Sequence, residues 1–443
     1  MNSIETARLG DLIRGIRRAK GLTLEELSVR AGVGVRTLGD LERHRIARPH
    51  RRTIEALVTA LDPATDEHDA IWASLRPPAQ PSAAPENEGT AASLTVGRDD
   101  EMAAFVQWFD GRYNQGEVTG PVVLTGLPGI GKTTFGKEIC RTHRDRFPDG
   151  RFHLDLGGFD DRPMTPHDAL GHLLTRIGLP PEEIPASPKD RGLLYRYRMH
   201  TTAMIVGLDN AADEAQIRPL LVDSTRSMTI VASRRPLAGL DAGHRVGLGE
   251  LDPAGSRQAL ESMIDRPERL AVEPAAADEL IELCAGLPLA LRLVGNRLNS
   301  RPRMTVTSLV DRMRSPGERL TWLSAGDVQL RSVLAGQYRH LTREQQSLLH
   351  RLSVIRTPEV STEAAAVLLG LDVLSAEERL EDLVDAGVMT FGSGTGRYHL
   401  NELVRLYGRE LFRVGGPAPV LLADLPVRPK GQRPVAVTSE QAA

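Results

Sequence analysis

The segment GLPGIGKTT, from Gly126 to Thr134, contains the residues with the clearest chemistry in this sequence. It fits the spacing GxxxxGK followed by Ser or Thr, which is the pattern of a phosphate-binding P-loop. Glycines let backbone N–H groups point at phosphate oxygens, Lys132 reaches the terminal phosphates, and Thr133 offers its hydroxyl to Mg²⁺. The alternative is a glycine-rich turn that only joins a strand to a helix. Because an apolar run precedes the motif and a helical pattern follows it, we predict that the segment binds a purine nucleoside triphosphate or its diphosphate together with Mg²⁺.

A second candidate residue is Asp209, which ends the apolar run from Met204 to Leu208. An acid at the end of a strand near a P-loop holds the water shell of Mg²⁺, so we predict that Thr133 and Asp209 form the metal site and that Asp209 is the catalytic acid of the Walker B type. The alternative is an aspartate that caps a strand end in a turn. Asn210 stands where many P-loop ATPases place a second acid that polarises the attacking water. We therefore expect at most a slow ATPase, which suits a switch better than a motor.

Residues 22–43 have the spacing of a helix-turn-helix, a motif that places its second helix in the major groove of DNA. Thr23 and Glu26 form a predicted capping box at the start of the first helix, residues 31–33 form a tight turn, and Val35 begins the second helix. Five apolar residues are expected to close one small core: Leu24, Leu27, Val35, Leu38 and Leu41.

This N-terminal segment is basic, although the whole chain has a formal net charge of −3. Twelve basic and five acidic residues lie between Arg8 and Arg52. We expect the second helix to read base edges, and the arginines after it to contact phosphates. The predicted DNA-binding residues are Thr23, Arg36, Thr37, Asp40, Arg43, Arg45 and Arg48, with Arg51 and Arg52 also available for phosphates. The alternative is a helical bundle whose arginines are solvated or bind protein.

The apolar pattern predicts the elements that position these residues. Residues 1–76 read as short helices, and the Pro-, Ala- and Ser-rich stretch after them has the composition of a linker. Four short apolar runs then alternate with helical stretches, which predicts a parallel sheet covered on both faces; they cover residues 121–126, 151–158, 203–210 and 228–235. A helical region follows, and a Gly-rich hairpin at residues 388–400 is typical of a winged helix.

The predicted fold is therefore multidomain, with an all-α head, an α/β P-loop domain with a parallel sheet, a helical domain and a winged-helix domain. The predicted segments are a helix-turn-helix domain at 1–76, a linker at 77–93, a nucleotide-binding domain at 94–250, a helical domain at 251–335, a winged-helix domain at 336–413 and a disordered tail at 414–443.

Length and composition exclude several classes of protein. The chain has 443 residues, which is too long for one ordinary domain. No run of about 18 apolar residues is present to span a bilayer, and the N-terminus has no apolar stretch of a secretory signal. The two cysteines, Cys140 and Cys284, are too few for a disulfide scaffold or a zinc site. We expect a cytoplasmic protein that has no membrane partner.

Six motifs in order resemble those of the NB-ARC domain, the nucleotide switch of STAND-class NTPases. They are VGRDDEM at 96–102, GLPGIGKTT at 126–134, LDNA at 208–211, VASRR at 231–235, GLPLAL at 286–291 and YHLNELVRLYG at 398–408, and the resemblance covers roughly residues 94–411. It implies that Val96 and Arg98 lie near the adenine, that Arg234 senses the γ-phosphate, and that Pro288 packs beside the base or ribose. The segment at 22–43 resembles the phage-repressor-like (XRE, or Cro/C1-type) helix-turn-helix family.

The chain departs from the NB-ARC pattern at one position. Where that family usually has Met-His-Asp, with a His that touches the β-phosphate of ADP, the resemblance places Leu400, Asn401 and Glu402. Asn401 can donate a hydrogen bond, but not a charged one, so the closed ADP state is expected to be poised differently. His399 is one residue early and is expected to be a strand residue. The predicted nucleotide-binding residues are Val96, Gly97, Arg98, Gly126, Pro128, Gly129, Ile130, Gly131, Lys132, Thr133, Thr134, Arg234, Pro288 and Asn401.

These patterns together predict a nucleotide-gated transcriptional regulator. ADP would hold a closed form, and ATP would favour an open form that pairs the DNA-binding heads on double-stranded DNA as a homo-oligomer. Two alternatives stay open: a P-loop ATPase whose turnover drives remodelling, and an ATP-dependent oligomerising scaffold for defence or signalling.

Overall fold

The computed structural model describes residues 9–43, 51–61, 95–113, 115–117, 120–160 and 162–413. They belong to two compact units, Met1–Asn87 and Glu88–Ala443. The predicted linker at 77–93, the predicted tail at 414–443, and Arg45 and Arg48 lie outside the described residues. Within that described part of the chain, no helix is both long enough and apolar enough to cross a membrane.

The first unit contains helices whose apolar faces meet in one core, where Leu27 and Leu38 are fully buried. The described helices are α1 Leu9–Ala19, α2 Leu24–Ala31, α3 Val35–Glu42 and α4 Arg51–Leu61. The predicted capping box is confirmed, since Thr23 Oγ1 accepts from the N–H of Glu26 at 3.1 Å and the Glu26 carboxylate accepts from the N–H of Thr23 at 2.8 Å. Gly32 ends α2 in the left-handed conformation, which glycine adopts without a Cβ clash.

Two features of this unit were not predicted correctly from the sequence. The placement of Val35 in the core is wrong, because α3 contributes Leu38 and Leu41 to the core and leaves the Val35 side chain 42% exposed. An ion pair between α1 and α3 was missed. Arg17 Nε donates to Glu42 Oε1 at 2.6 Å and Arg17 Nη2 donates to Glu42 Oε2 at 2.9 Å, and both residues are buried.

The second unit is built around a five-stranded parallel sheet in the order β2-β3-β4-β1-β5. Its strands are β1 Val122–Thr125, β2 Gly150–Asp155, β3 Met204–Ala211, β4 Met228–Ser233 and β5 His244–Gly247. The four predicted strands and their parallel arrangement are confirmed. Strand β5 was missed because only Val246 among its four residues is buried, so this edge strand shows no apolar run.

Helices cover both faces of the sheet, as a parallel sheet requires. Val122 and Leu124 of β1 face one buried cluster, whereas Val123 faces another. The helices of this region are α5 Asp99–Tyr113, α6 Lys132–Thr142, α7 Pro166–Arg176, α8 Pro188–Thr201 and α9 Glu214–Ile217. The P-loop therefore lies between a buried central strand, β1, and helix α6.

A group of helices follows the sheet: α10 Pro253–Met263, α11 Glu268–Val272, α12 Pro274–Leu283, α13 Pro288–Ser300, α14 Val306–Met313 and α15 Pro316–Trp322. Two short paired strands, β6 Ser324–Ala325 and β7 Val328–Gln329, lead out of this group.

The last part of the unit combines helices with a three-stranded antiparallel sheet in the order β8-β10-β9. Its elements are α16 Leu330–Arg339, α17 Arg343–Leu352, β8 Glu359–Ser361, α18 Thr362–Leu369, α19 Val373–Asp385, β9 Thr390–Phe391, β10 Arg397–His399 and α20 Glu402–Arg413. Strands β9 and β10 confirm the predicted hairpin. Helix α16 continues across the predicted domain boundary between residues 335 and 336. Leu334 and Gln337, on either side of that boundary, are both buried.

Candidate functional site

The P-loop takes the shape that its glycines permit. Gly126, Gly129 and Gly131 have φ values of 141°, 79° and 98°, which side chains with a Cβ rarely adopt. A Cβ on Gly126 would lie 2.4 Å from the carbonyl oxygen of Leu248. Helix α6 begins at Lys132, so the N–H groups of its first turn have no intrahelical acceptor and face the start of the helix. This arrangement suits an anion such as a phosphate group.

Lys132 lies where its ammonium group can reach such an anion. Its Nζ donates hydrogen bonds to the carbonyl oxygens of Gly126 at 2.8 Å and of Leu127 at 3.0 Å. Burial of the ammonium group and, to a lesser extent, the positive charge of Arg234 lower the pKa of Lys132 to about 7, against the opposing effect of Asp209. A bound phosphate would restore the charged form, since an anion within a few ångströms favours the ammonium ion.

Thr133 and Asp209 are brought together by α6 and β3, as the sequence predicted. The Thr133 hydroxyl donates to Asp209 Oδ2, and His153 Nε2 lies 3.7 Å from the same oxygen. Burial alone would raise the pKa of Asp209, but the nearby His153 ring and the hydrogen bonds from Thr133 and the N–H of Asn210 outweigh that effect, and the pKa falls below its usual range. A hydroxyl oxygen beside an ionised carboxylate is a donor set that Mg²⁺ accepts, so the residues present fit the ion.

A second acid, Asp155, stands beside Asp209 on the neighbouring strand and was missed from the sequence. The two residues are paired in the register of β2 and β3. Asn210 has a φ of 51°, and its Nδ2 donates to both carboxylate oxygens of Asp155 at 3.0 Å. The apolar run of β2 ends at Asp155, which could have revealed it, because carboxyl ends of adjacent parallel strands meet at one edge of the sheet.

Arg234 follows β4 and is held by groups that are distant in the sequence. Its Nη1 donates to Gln337 Oε1 at 3.1 Å, and its guanidinium lies 4.2 Å from the ring centroid of Phe159. Gln337 in turn donates from Nε2 to the carbonyl oxygen of Ala386. A Cβ on Gly387 would lie 2.0 Å from the carbonyl oxygen of Arg234. Arg234 therefore joins the end of β4 to α16 and to the turn after α19.

The predicted adenine side of the site packs against the P-loop. Arg98 is 6% exposed, and its Nη2 donates to the carbonyl oxygens of Gly249 at 2.5 Å and Ile130 at 3.4 Å. A Cβ on Gly97 would lie 2.9 Å from the Cα of Gly255.

Two further predicted residues, Val96 and Pro288, are partly exposed. Pro288 is the first residue of α13, and the N–H of Leu289 donates to the carbonyl oxygen of Gly129 at 3.1 Å. The start of α13 therefore contacts the P-loop directly.

Asn401 is 1% exposed, and its side chain is directed at protein groups. Its Nδ2 donates to Glu250 Oε1 at 2.6 Å and to the carbonyl oxygen of Ala285 at 3.0 Å, and its Oδ1 accepts from the N–H of Leu403 at 2.9 Å. His399 lies in β10, as predicted, with its Nε2 at 2.7 Å from Glu250 Oε1. Glu250 was not predicted as a site residue. Its partners His399 and Asn401 lie 149 and 151 residues away, and no local pattern in the sequence indicates these contacts.

In the first unit, the predicted base-reading residues lie on the surface of α3. Arg36 and Thr37 are exposed, and Arg43 Nη2 lies 3.4 Å from Asp40 Oδ1. Thr23 is exposed and serves as the cap of α2. Arg36 and Thr37 are therefore exposed on the described part of this unit.

Comparison with known proteins gives three findings. Residues 8–71 match the helix-turn-helix domain family. The chain is 33% identical over 367 residues to the regulatory protein AfsR of Streptomyces coelicolor, which covers 82% of this chain and 36% of the relative. It is 32% identical over 405 residues to AfsR of Streptomyces griseus, which covers 91% of this chain and 40% of the relative. The chain thus spans less than half the length of these curated relatives.

Among solved structures, the chain is similar to a STAND protein with a tetratricopeptide repeat sensor from Pyrococcus horikoshii. The identity is 18% and the TM-score 0.32, over 69% of this chain and 42% of that one. The helix-turn-helix match confirms the prediction for the N-terminal segment.

Proposed function

We propose that this chain, which has a helix-turn-helix domain followed by a STAND-type NTPase region, is a DNA-binding transcriptional regulator gated by ADP and ATP in the cytoplasm. The observation that carries the proposal is the position of Arg234. It lies at the end of the P-loop sheet, where it is close enough to Lys132 to lower its pKa, and it is hydrogen-bonded to Gln337 of α16. One side chain thus links the phosphate site to the C-terminal helices.

Nucleotide binding would use groups that are already in place. Backbone N–H groups at the start of α6 and the ammonium group of Lys132 would hold the β- and γ-phosphates. Val96, Arg98 and Pro288 would surround the base and ribose, as the resemblance implies. Thr133 and Asp209 would hold Mg²⁺, which neutralises charge between the phosphates when it is bound.

The gate would depend on the γ-phosphate, because a ligand shifts an equilibrium only when it binds the two states differently. With ADP, Arg234 keeps its hydrogen bond to Gln337 and the region from α16 to α20 stays closed. With ATP, the γ-phosphate competes for the Arg234 guanidinium, since a phosphate is a stronger acceptor than an amide. The loss of the Gln337 contact then favours an open form.

The region that opens would be the winged-helix domain, with residues 251–335 as the helical domain beneath it. Opening would pair two or more helix-turn-helix heads on double-stranded DNA, because one such motif reads only a half-site. Arg36 and Thr37 would read base edges, and Arg45 and Arg48 would contact phosphates. Hydrolysis would be slow, since Asn210 is held by Asp155 and has no carboxylate of its own to activate water.

The proposal is tested by selecting duplexes from a random pool with the full chain, and then measuring their affinity for protein loaded with ADP or ATP at one fixed salt concentration. We expect ATP to tighten binding by about tenfold or more, which corresponds to roughly 1.4 kcal/mol of coupling. Equal affinity with both nucleotides would exclude gating. A pool from which no duplex is enriched would exclude the DNA-binding role and leave the scaffold hypothesis.

A further inference from the structure

A carboxylate on the loop after β5 receives two hydrogen bonds from the C-terminal part of the unit. Glu250 Oε1 lies 2.7 Å from His399 Nε2 and 2.6 Å from Asn401 Nδ2. Glu250 belongs to the nucleotide-binding region, whereas His399 ends β10 and Asn401 stands directly before α20. One oxygen atom therefore ties two C-terminal residues to the nucleotide-binding region.

The side-chain amide group of Asn401 donates all of its hydrogen bonds to protein acceptors. Both of its amide donors are used, one by Glu250 and one by the carbonyl oxygen of Ala285, and its Oδ1 accepts from Leu403. Ala285 has a φ of 48°, which is uncommon for a residue with a Cβ and persists only where the surroundings hold it. The Asn401 side chain thus joins three segments of the chain.

Further charged groups lie close to these three side chains. Glu359 of β8 and Arg405 of α20 are the other charged groups that act on His399. Arg405 is 1% exposed and donates to the carbonyl oxygen of Leu400 at 2.9 Å, which fixes the start of α20. Buried hydrogen bonds to a charged group are the stronger ones in proteins, and removing one partner leaves the other unsatisfied.

We propose that Glu250, His399 and Asn401 form a clasp that keeps the C-terminal region closed on the nucleotide-binding region without any contact from these side chains to nucleotide. The inference rests on the proposed gating. It adds a second contact, besides the one between Arg234 and Gln337, that stabilises the closed state. Closure comes from the protein itself, so ADP is not needed for it. ATP then has to overcome the clasp as well as the contact between Arg234 and Gln337.

The decisive variant is Asn401→Asp in the full chain. It keeps the size of the side chain and the acceptor for Leu403, but it sets a second carboxylate against Glu250. Hydrogen–deuterium exchange of nucleotide-free protein at neutral pH is measured in peptides that cover residues 246–252, 283–287 and 397–405. We expect exchange to rise by about tenfold in all three, since losing a partly buried hydrogen bond to a charged group is worth about that factor.

Two comparisons separate the clasp from a general loss of structure. In the double variant Glu250→Gln with Asn401→Asp, the glutamine amide donates to the new carboxylate, so protection should return in the peptides that cover residues 246–252 and 397–405. The peptide 283–287 should stay less protected, because an aspartate at 401 cannot donate to the carbonyl oxygen of Ala285. Glu282→Gln removes a carboxylate from an exposed position on α12 and should leave exchange unchanged. Residues 122–125 of the central strand serve as the internal reference for global unfolding.

Two outcomes would overturn the proposal: wild-type exchange in Asn401→Asp, or no recovery of protection in residues 246–252 and 397–405 of the double variant. Failure of the protein to bind ATP or ADP would instead reject the proposed function, and it would leave the exchange result on nucleotide-free protein intact.

Discussion

Lys132, Asp209 and Arg234 are each held by other groups of the protein, whereas Arg36 and Thr37 project from α3 into solvent. The two regions therefore respond differently to a ligand. At the nucleotide site, a bound phosphate would have to replace protein partners, so in the proposed function its binding is coupled to the position of α16 through Gln337. At α3, a bound DNA duplex would replace water around Arg36 and Thr37. The comparison suggests that DNA binding is controlled by how many heads are presented together, and not by a rearrangement within a head.

The largest effect is expected from Lys132→Ala. The variant loses the ammonium group that would hold the terminal phosphates, and nucleotide affinity should fall by about 100-fold or more, because charge-assisted hydrogen bonds to phosphate contribute roughly 1.5–3 kcal/mol each. Fluorescent ADP and ATP titrations measure it. Lys137→Ala, on the exposed face of the same helix, should bind normally. Wild-type affinity in Lys132→Ala would refute the assignment of the P-loop as the nucleotide site.

Arg36→Ala should weaken DNA binding by about tenfold or more, since a specific contact to a base edge is worth roughly 1–3 kcal/mol. Nucleotide affinity should not change, because the residue belongs to the other unit. Electrophoretic mobility shifts at constant salt measure the loss, and Arg30→Ala, an exposed arginine on α2, is the matched control. If both variants lose affinity equally for every sequence, the contact of Arg36 is to phosphate and not to a base.

Nucleotide binding should depend on pH, because a bound phosphate changes the pKa of Lys132. Ligand-free Lys132 has a pKa lowered to about 7 by burial, and a bound phosphate raises that pKa. Below pH 7, Lys132 is protonated in both states, so affinity is constant. Above pH 7, binding takes up a proton, and affinity falls by up to about tenfold per pH unit. Calorimetry in two buffers of different ionisation enthalpy counts the protons. Proton uptake that persists in Lys132→Ala would assign it to another group.

The smallest effect is expected from Gln337→Met, which keeps the side-chain length and removes the hydrogen bond to Arg234. The guanidinium becomes free to meet a γ-phosphate, so the preference for ATP over ADP should rise by roughly three- to tenfold, in line with one hydrogen bond to a charged group. Gln346→Met alters a glutamine on α17 whose amide donates to the backbone carbonyl oxygens of Tyr338 and Leu341, and should not shift the preference. A reduced preference for ATP in Gln337→Met would show that the contact supports ATP binding.

Local patterns predicted most of the elements and the core of the site. The P-loop, the four apolar strands, the capping box at Thr23 and the helix-turn-helix were all readable, because each is set by residues close together in the sequence. Gln337 and Glu250 were not, since their partners lie 103 and 151 residues away. Val35 was misassigned because the apolar periodicity predicts which face of α3 is buried, but it does not predict which residues on that face the other helices cover.

Gly387 illustrates how a small side chain can determine the resting state of a large protein. Its φ is 71°, and the place of a Cβ is taken by the carbonyl oxygen of Arg234. Even a methyl group at this position would act as a wedge between the end of β4 and the turn after α19. In the proposed switch, alanine at this position would favour the open form without any change in the bound nucleotide, so the missing Cβ of Gly387 would help to set the balance between the two forms.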